Sequence, residues 1–149
     1  MNREEIKQML PHREPMLLVD EMTLDSDGTA HGIYHVRGDE FFLQGHFPGH
    51  PTVPGVIMCE IIGQASSILV KDYIQGKTPF YSGIDKARFK NSVYPGDTIE
   101  VTAHVVNKRG MIFFIEAKAE VRGKLCTQAS LSFALVDNDK LTAREEAAK

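Results

Sequence analysis

Residues 54–74 constrain the fold of this chain more than any other stretch. Val56, Ile57, Met58, Cys59, Ile61, Ile62, Ala65, Ile68, Leu69 and Val70 leave a helix almost no polar face. Such a helix cannot lie on a surface and has to be covered on several sides. Pro54 suits its first turn, where a missing N–H costs no hydrogen bond. The spacing predicts a helix from Pro54 to about Ile74, where QGKTP breaks it. The material to cover it lies on both sides. FYSGIDKARFKNSV (80–93), TIEVTAHVVNKR (98–109), MIFFIEAKAEVR (111–122) and KLCTQASLSFALV (124–136) read as strands, parted by YPGD, RG and Gly123. Upstream, PMLLVDEMTLD (15–25) and TAHGIYHVRG (29–38) read as two more around a DSDG turn. The βαβ alternation of a parallel sheet is missing. The expected class is therefore α+β, an antiparallel sheet of five to six strands wrapped around one long central helix. REEIKQML (3–10) reads as a short amphipathic helix stopped by Pro11, and 137–149 as a flexible or helical tail.

The 149 residues show no repeat or linker and suit a single domain over 1–149. The net charge of −3 argues against nucleic acid as a partner. The first residues, MNREEIKQMLPHRE, carry no apolar signal region, and no apolar run is long enough to span a membrane. Cys59 and Cys126 form no CxxC or zinc pattern and read as small core residues. A soluble cytoplasmic protein is expected, with no membrane partner.

Within the apolar helix, Glu60, Gln64, Ser67 and Lys71 fall at spacings of four, three and four, on one line. The line is either a solvent edge or a functional stripe. Lys71 fits the first reading, while Glu60, between Cys59 and Ile61, fits either. A carboxylate in apolar surroundings has its pKa raised, which suits acid–base work near neutrality. At the start of the helix, Val53 offers no capping oxygen. The amides of Gly55 and Val56 are then free for a ligand, or are satisfied by Thr52 or water. Residues 45–55, GHFPGHPTVPG, hold two histidines in a stretch stiffened by proline and turned by glycine. His46 and His50 have no Cys or carboxylate nearby at ligand spacing, so a metal is not expected. His12, His31, His35 and His104 read as structural or surface residues. No GxSxG motif or Gly-rich phosphate loop appears, which leaves proton transfer by His and Glu as the available chemistry.

GHFPGHPTVPGVIMCE resembles the signature of the bacterial 3-hydroxyacyl-acyl-carrier-protein dehydratases, a hot-dog-fold family. LPHREPMLLVD (10–20), FFLQGHFPGHP (41–51), GQASSIL (63–69), GIDKARFKNSVYPGD (83–97) and the closing strands extend the likeness over residues 5–136. The resemblance implies His46 as catalytic base and Glu60, fourteen residues later, as catalytic acid. It implies Gly55 N–H, with Val56 beside it, as the group that holds the thioester carbonyl, and Gln64 as a supporting residue. Glu60 rather than Asp points to the plain dehydratase instead of the dehydratase-isomerase branch. Ile61, Gly63, Ser66 and Ser67 stand where the family often has Ala and Gly, and Phe80 and Tyr81 fall where it places a tunnel gate.

The implied reaction removes water from a 3-hydroxyacyl thioester in fatty-acid synthesis, with no metal or redox cofactor. The implied partners are an acyl carrier protein bearing a phosphopantetheine-linked chain and a second copy of this chain. His46 of one copy would face Glu60 of the other, and dimers would assemble further into a trimer of dimers. Lys86, Arg88 and Lys90 alternate along one predicted strand and are candidates for carrier docking. Lys108, Arg109, Arg122 and Lys124 sit at hairpin ends and read equally as solvated surface. A hot-dog thioesterase, a non-catalytic acyl-binding subunit and a dehydratase of a polyketide or aryl-polyene pathway are the rival readings.

Overall fold

The computed structural model describes all 149 residues. Six strands form one antiparallel sheet: β1 (Glu21–Leu24), β2 (Ala30–His35), β3 (Lys77–Phe89), β4 (Thr98–Arg109), β5 (Ile112–Val121) and β6 (Lys124–Asp137). Their spatial order is β1-β2-β4-β5-β6-β3. The β4–β5–β6 meander comes from tight turns at Gly110 and at Arg122–Gly123. There the backbone takes positive φ, as two-residue hairpin turns require. Alternation sets the two faces of the sheet. On β5, Phe113, Ile115, Ala117, Ala119 and Val121 point inward, while Glu116 and Lys118 point outward.

The inner face wraps around α2 (Gly55–Ala65), and the two share one core of 32 buried residues. Ile61 and Ile62 are fully buried in it, each worth about 1.5–3 kcal/mol of transfer free energy. The helix sits so close to the sheet that a Cβ at Gly32 of β2 would collide with the Ala65 methyl. Only glycine at that position permits this depth of packing.

Several expectations need correction. The central helix stops at Ala65 instead of running to about Ile74, and continues as a 3₁₀ turn, Ser67–Val70. The Ser66 hydroxyl donates to Ile62 O at 2.7 Å and the Ser67 hydroxyl to Gln64 O at 2.6 Å. Side-chain bonding of this kind competes with the backbone ladder and tightens the chain. The strand expected over 15–25 is reduced to Glu21–Leu24. Residues Leu17–Val19 are buried outside the sheet, because Leu18 N–H is taken by the Gln64 side chain at 2.7 Å rather than by a neighbouring strand. β3 spans 77–89 rather than 80–93, and the tail forms an exposed helix, α3 (Asn138–Ala147). A short helix, α1 (Arg3–Met9), precedes Pro11 as expected, its N-terminus capped by the Asn2 side chain on Glu5 N–H. Cys59 and Cys126 are buried free thiols. No helix is long and apolar enough to cross a membrane.

β3 forms one edge of the sheet and exposes Phe80, Tyr81, Ile84 and Phe89. A long, apolar edge strand with one side unpaired is a template for pairing with another chain.

Candidate active site

The carboxylate of Glu60 projects from the second turn of α2 into a cleft of about 70 Å³. His12, Gln64, Ser67, Phe80 and Tyr81 are among the residues that line it. Three members of the helix stripe, Glu60, Gln64 and Ser67, therefore meet at one place, and Gln64 and Ser67 are buried rather than at a solvent edge. Lys71 lies past the end of the helix, exposed and outside this cleft.

Gln64 is the organising side chain. Its amide oxygen accepts from Leu18 N–H at 2.7 Å. That fixes which end is the NH₂ group, and the NH₂ donates to Met16 O and to Glu60 Oε2, each at 2.7 Å. His12 Nε2 lies 3.5 Å from the same Glu60 oxygen. The expected elevation of the Glu60 pKa is not found. The His12 side chain, followed by the Gln64 amide, holds the carboxyl below the usual carboxylate range against the opposing effect of burial. Apolar flanks alone suggested a raised value; Gln64 reaches Glu60 from the next turn of the same helix, and His12 from a segment far away in sequence. His12 also departs from expectation. It lines the Glu60 cleft, and its Nδ1 is buried without a hydrogen-bond partner. Pro11 and Pro15 bracket it much as Pro48 and Pro51 bracket His50, and that is the local signal the sequence offers for it.

Phe80 and Tyr81 both border this cleft. The Tyr81 hydroxyl donates to the Cys59 carbonyl, and burial raises its pKa strongly. Its ring and hydroxyl lie where a Cβ at residue 63 would stand, so Gly63 is the condition for this placement.

His46 lies elsewhere, in a second cleft of about 240 Å³ that it lines with Thr52, Gly55, Met58, Phe89 and Lys90. Residues 46–52 are held by their own backbone. Thr52 N–H donates to His46 O at 2.8 Å, and His50 N–H to Phe47 O at 2.9 Å. The His46–Phe47 peptide is cis. The His46 ring stacks on Phe47 at 4.3 Å. His46 Nδ1 lies 3.0 Å from Thr52 O. A carbonyl can only accept, so Nδ1 carries the proton and Nε2 presents a free lone pair. No side chain caps α2, and Gly55, in the same cleft, opens the helix with its amide uncommitted to an intrahelical bond. Val56 is exposed beside it. Within one chain, then, His46 and Glu60 line different clefts.

The expected alternation of Lys86, Arg88 and Lys90 along one strand is broken. A register shift between Asp85 and Arg88, with Lys86 at positive φ, interrupts the ladder, and β3 ends at Phe89. Lys86 and Arg88 line an outer-face depression with His104, Glu116 and Lys118, whereas Lys90 borders the His46 cleft. His31 pairs with Asp25 at 2.8 Å and His35 contacts Thr98 at 3.0 Å, both as surface residues.

A sheet curled around one helix, with a proline-rich histidine loop at the start of that helix and a carboxylate on its second turn, defines a hot-dog protein. Solved structures share this architecture. The dehydratase heterocomplex ApeI:P from Xenorhabdus doucetiae superposes with a TM-score of 0.78 at 18% identity, covering 93% of this chain and 95% of that one. A thioesterase-superfamily member from Thermus thermophilus gives 0.68 at 18% identity, covering 80% and 89%. At such identities the likeness establishes the fold alone. Sequence goes further: residues 10–130 match the FabA-like domain model. The 3-hydroxyacyl-[acyl-carrier-protein] dehydratase FabZ of Clostridium perfringens is 44% identical over 137 residues, 91% of this chain and 99% of the relative. The FabZ of Streptococcus pneumoniae is 46% identical over 134 residues, 89% and 96%. The chain belongs to the FabA-like family, among the FabZ-type 3-hydroxyacyl-[acyl-carrier-protein] dehydratases.

Proposed function

We propose that this chain converts (3R)-3-hydroxyacyl-acyl-carrier-protein to the trans-2-enoyl thioester in fatty-acid biosynthesis, with His46 and Glu60 as its base and acid. Similarity to FabZ relatives over nearly the whole chain supports the reaction class. The observation that carries the assignment of residues is the locked His46 tautomer, whose Nε2 is left basic in the cleft that also holds Gly55.

In the forward direction, Nε2 of His46 takes the proton from the carbon next to the thioester carbonyl. The released electron pair moves onto the carbonyl oxygen, where the Gly55 and Val56 amides and the helix dipole stabilise it. That pair then returns to form the C=C bond as the C–O bond to the hydroxyl breaks. Glu60 gives its proton to the departing oxygen, which leaves as water. Burial of Glu60 already opposes the effect of His12 and Gln64, and an acyl chain filling the cleft strengthens it, moving the carboxyl toward the protonated form. Gln64 keeps the carboxyl in place. Phe80 and Tyr81 form the gate of the acyl cleft.

Because the two groups line separate clefts of one chain, the working site is assembled from His46 of one subunit and Glu60 of the partner subunit. The unpaired β3 edge, with Ile84 and Phe89 exposed, is the surface that joins the two copies, and three dimers complete the assembly. Lys86, Arg88 and Lys90 attract the acidic carrier.

The test follows the absorbance of the enoyl thioester with wild type, His46→Ala and Glu60→Gln. Each variant, still folded, is expected to lose about 10²–10⁴-fold in kcat. Unfolding and refolding the two inactive variants together should restore about a quarter of wild-type activity, since half of randomly formed dimers are mixed and each holds one intact site. Full activity in either variant, or no recovery on mixing, would count against the shared site.

A further inference from the structure

We propose that His12 is a positioning residue for Glu60, holding one carboxylate oxygen against the 10–18 segment and leaving the other to the substrate. The inference rests on the reading of Glu60 as the catalytic acid. Two side chains converge on Glu60 Oε2: the Gln64 amide donates to it at 2.7 Å, and His12 Nε2 stands 3.5 Å away. Glu60 Oε1 makes no protein hydrogen bond, so the orientation of the carboxylate is set from one side only.

The segment that carries His12 is built to stay still. The Arg13 guanidinium donates to Lys7 O at 3.0 Å, Leu10 O at 2.9 Å and His12 O at 2.7 Å. The Met16 and Leu17 amides both donate to Arg13 O. The same segment supplies Met16 O and Leu18 N–H to Gln64, so one stretch of chain grips the acid directly and through its neighbour. His12 Nδ1 is buried without an acceptor. A proton there would be a stranded donor, so the ring carries its proton on Nε2, facing Glu60. A leucine at position 12 would fill the space without leaving a nitrogen unpaired, but it would offer Glu60 nothing.

Two further ionisable groups near the pair are neutral near pH 7. Tyr81 from β3 and Cys59 from α2 are both pushed up by burial, and the Arg13 guanidinium is turned toward backbone carbonyls. His12 is the largest influence on Glu60's ionisation and lowers the carboxyl, with Gln64 acting in the same direction and burial opposing both. The consequence has a definite sign. Dehydration needs Glu60 protonated, so its rate falls as pH rises through the Glu60 pKa. Hydration needs Glu60 ionised, so its rate falls as pH drops through the same pKa. Removing His12 raises that pKa and moves both limbs to higher pH.

The experiment compares wild type, His12→Ala and His12→Gln by pH–rate profiles in both directions and by ¹³C-carboxyl titration of Glu60. His12→Ala is expected to lower kcat roughly tenfold, the scale of one hydrogen bond to a charged group, with little change in KM. It should also raise the Glu60 titration and shift both limbs upward. His12→Gln, whose amide replaces the Nε2 donor, should recover most of kcat and return the titration toward wild type. Should His12→Ala fail to fold, His12→Asn, whose amide stops short of Glu60, takes its place beside the Gln variant. Unmoved limbs and titration in a folded variant, or a Gln variant no better than Ala or Asn, would overturn the proposal. Glu60→Gln separates the two readings. If it retains full activity, Glu60 is not the acid. If it is inactive while His12→Ala behaves as wild type, only the role of His12 fails.

Discussion

The acid side of the site is wired through side chains, whereas the base side is wired through the backbone. Glu60 is oriented by Gln64 and His12, and Gln64 in turn by Leu18 and Met16. His46 is oriented by a main-chain carbonyl, that of Thr52, inside a loop closed by its own amides. The first arrangement ties together two segments distant in sequence, α2 and residues 10–18, and can be broken by single substitutions. The second is contained within seven consecutive residues, and its key acceptor survives any side-chain change. A group whose task depends on a tuned ionisation needs neighbours that evolution can vary; a group that needs only a fixed tautomer does not.

The comparison breaks most visibly at Gln64. Gln64→Leu keeps the volume but strands Leu18 N–H and Met16 O and frees one Glu60 oxygen. The variant is expected to lose about 1–3 kcal/mol of stability, read from the urea midpoint, because the buried Leu18 N–H loses its partner. Its kcat should fall with its stability, a double loss with no counterpart on the loop.

Acid titration of stability sharpens the same contrast. With its pKa lowered in the folded state, Glu60 contributes stability that is present above the ordinary carboxylate pKa. That contribution is lost as pH falls through the depressed folded value. Tm measured against pH should therefore fall less steeply on the acid side for Glu60→Gln than for wild type. Equal slopes would mean that the His12 and Gln64 contacts do not favour the ionised form in solution.

The smallest effect is expected at Thr52. Its hydroxyl stands 3.5 Å from His46 Nδ1, but the bond that matters is to its carbonyl. Thr52→Ala should change kcat by about twofold or less, within the range of a substitution that breaks no buried network. A loss approaching that of His46→Ala would show that the loop depends on its side chains after all.

This division also explains what could be read from the sequence. The antiparallel sheet around one buried helix was visible because period-two and period-3.6 patterns are local. The boundaries of β4 were found to the residue from the alternation of TIEVTAHVVNKR. Glu60 and Gln64 were visible because they share a helical line. The end of α2 was missed because Ser66 and Ser67 fit the apolar helix by spacing, and only their bonds back to Ile62 and Gln64 reveal the tightening. The lowered Glu60 pKa and the place of His12 were missed for one reason. His12, the largest cause of the lowering, meets Glu60 across 48 positions of chain from a segment with no period, and no window of sequence contains both. The bulge between Asp85 and Arg88 and the end of β3 at Phe89, short of Lys90, are departures from alternation that a pattern argument assumes away.

The fit of Tyr81 over Gly63 bears on how this chain can change over generations. The position that the tyrosine hydroxyl occupies is the one an alanine methyl would need. A lineage carrying Tyr81 has closed off the commonest small replacement at residue 63 until residue 81 has first withdrawn from that place. The order of the two substitutions then decides which intermediates are viable.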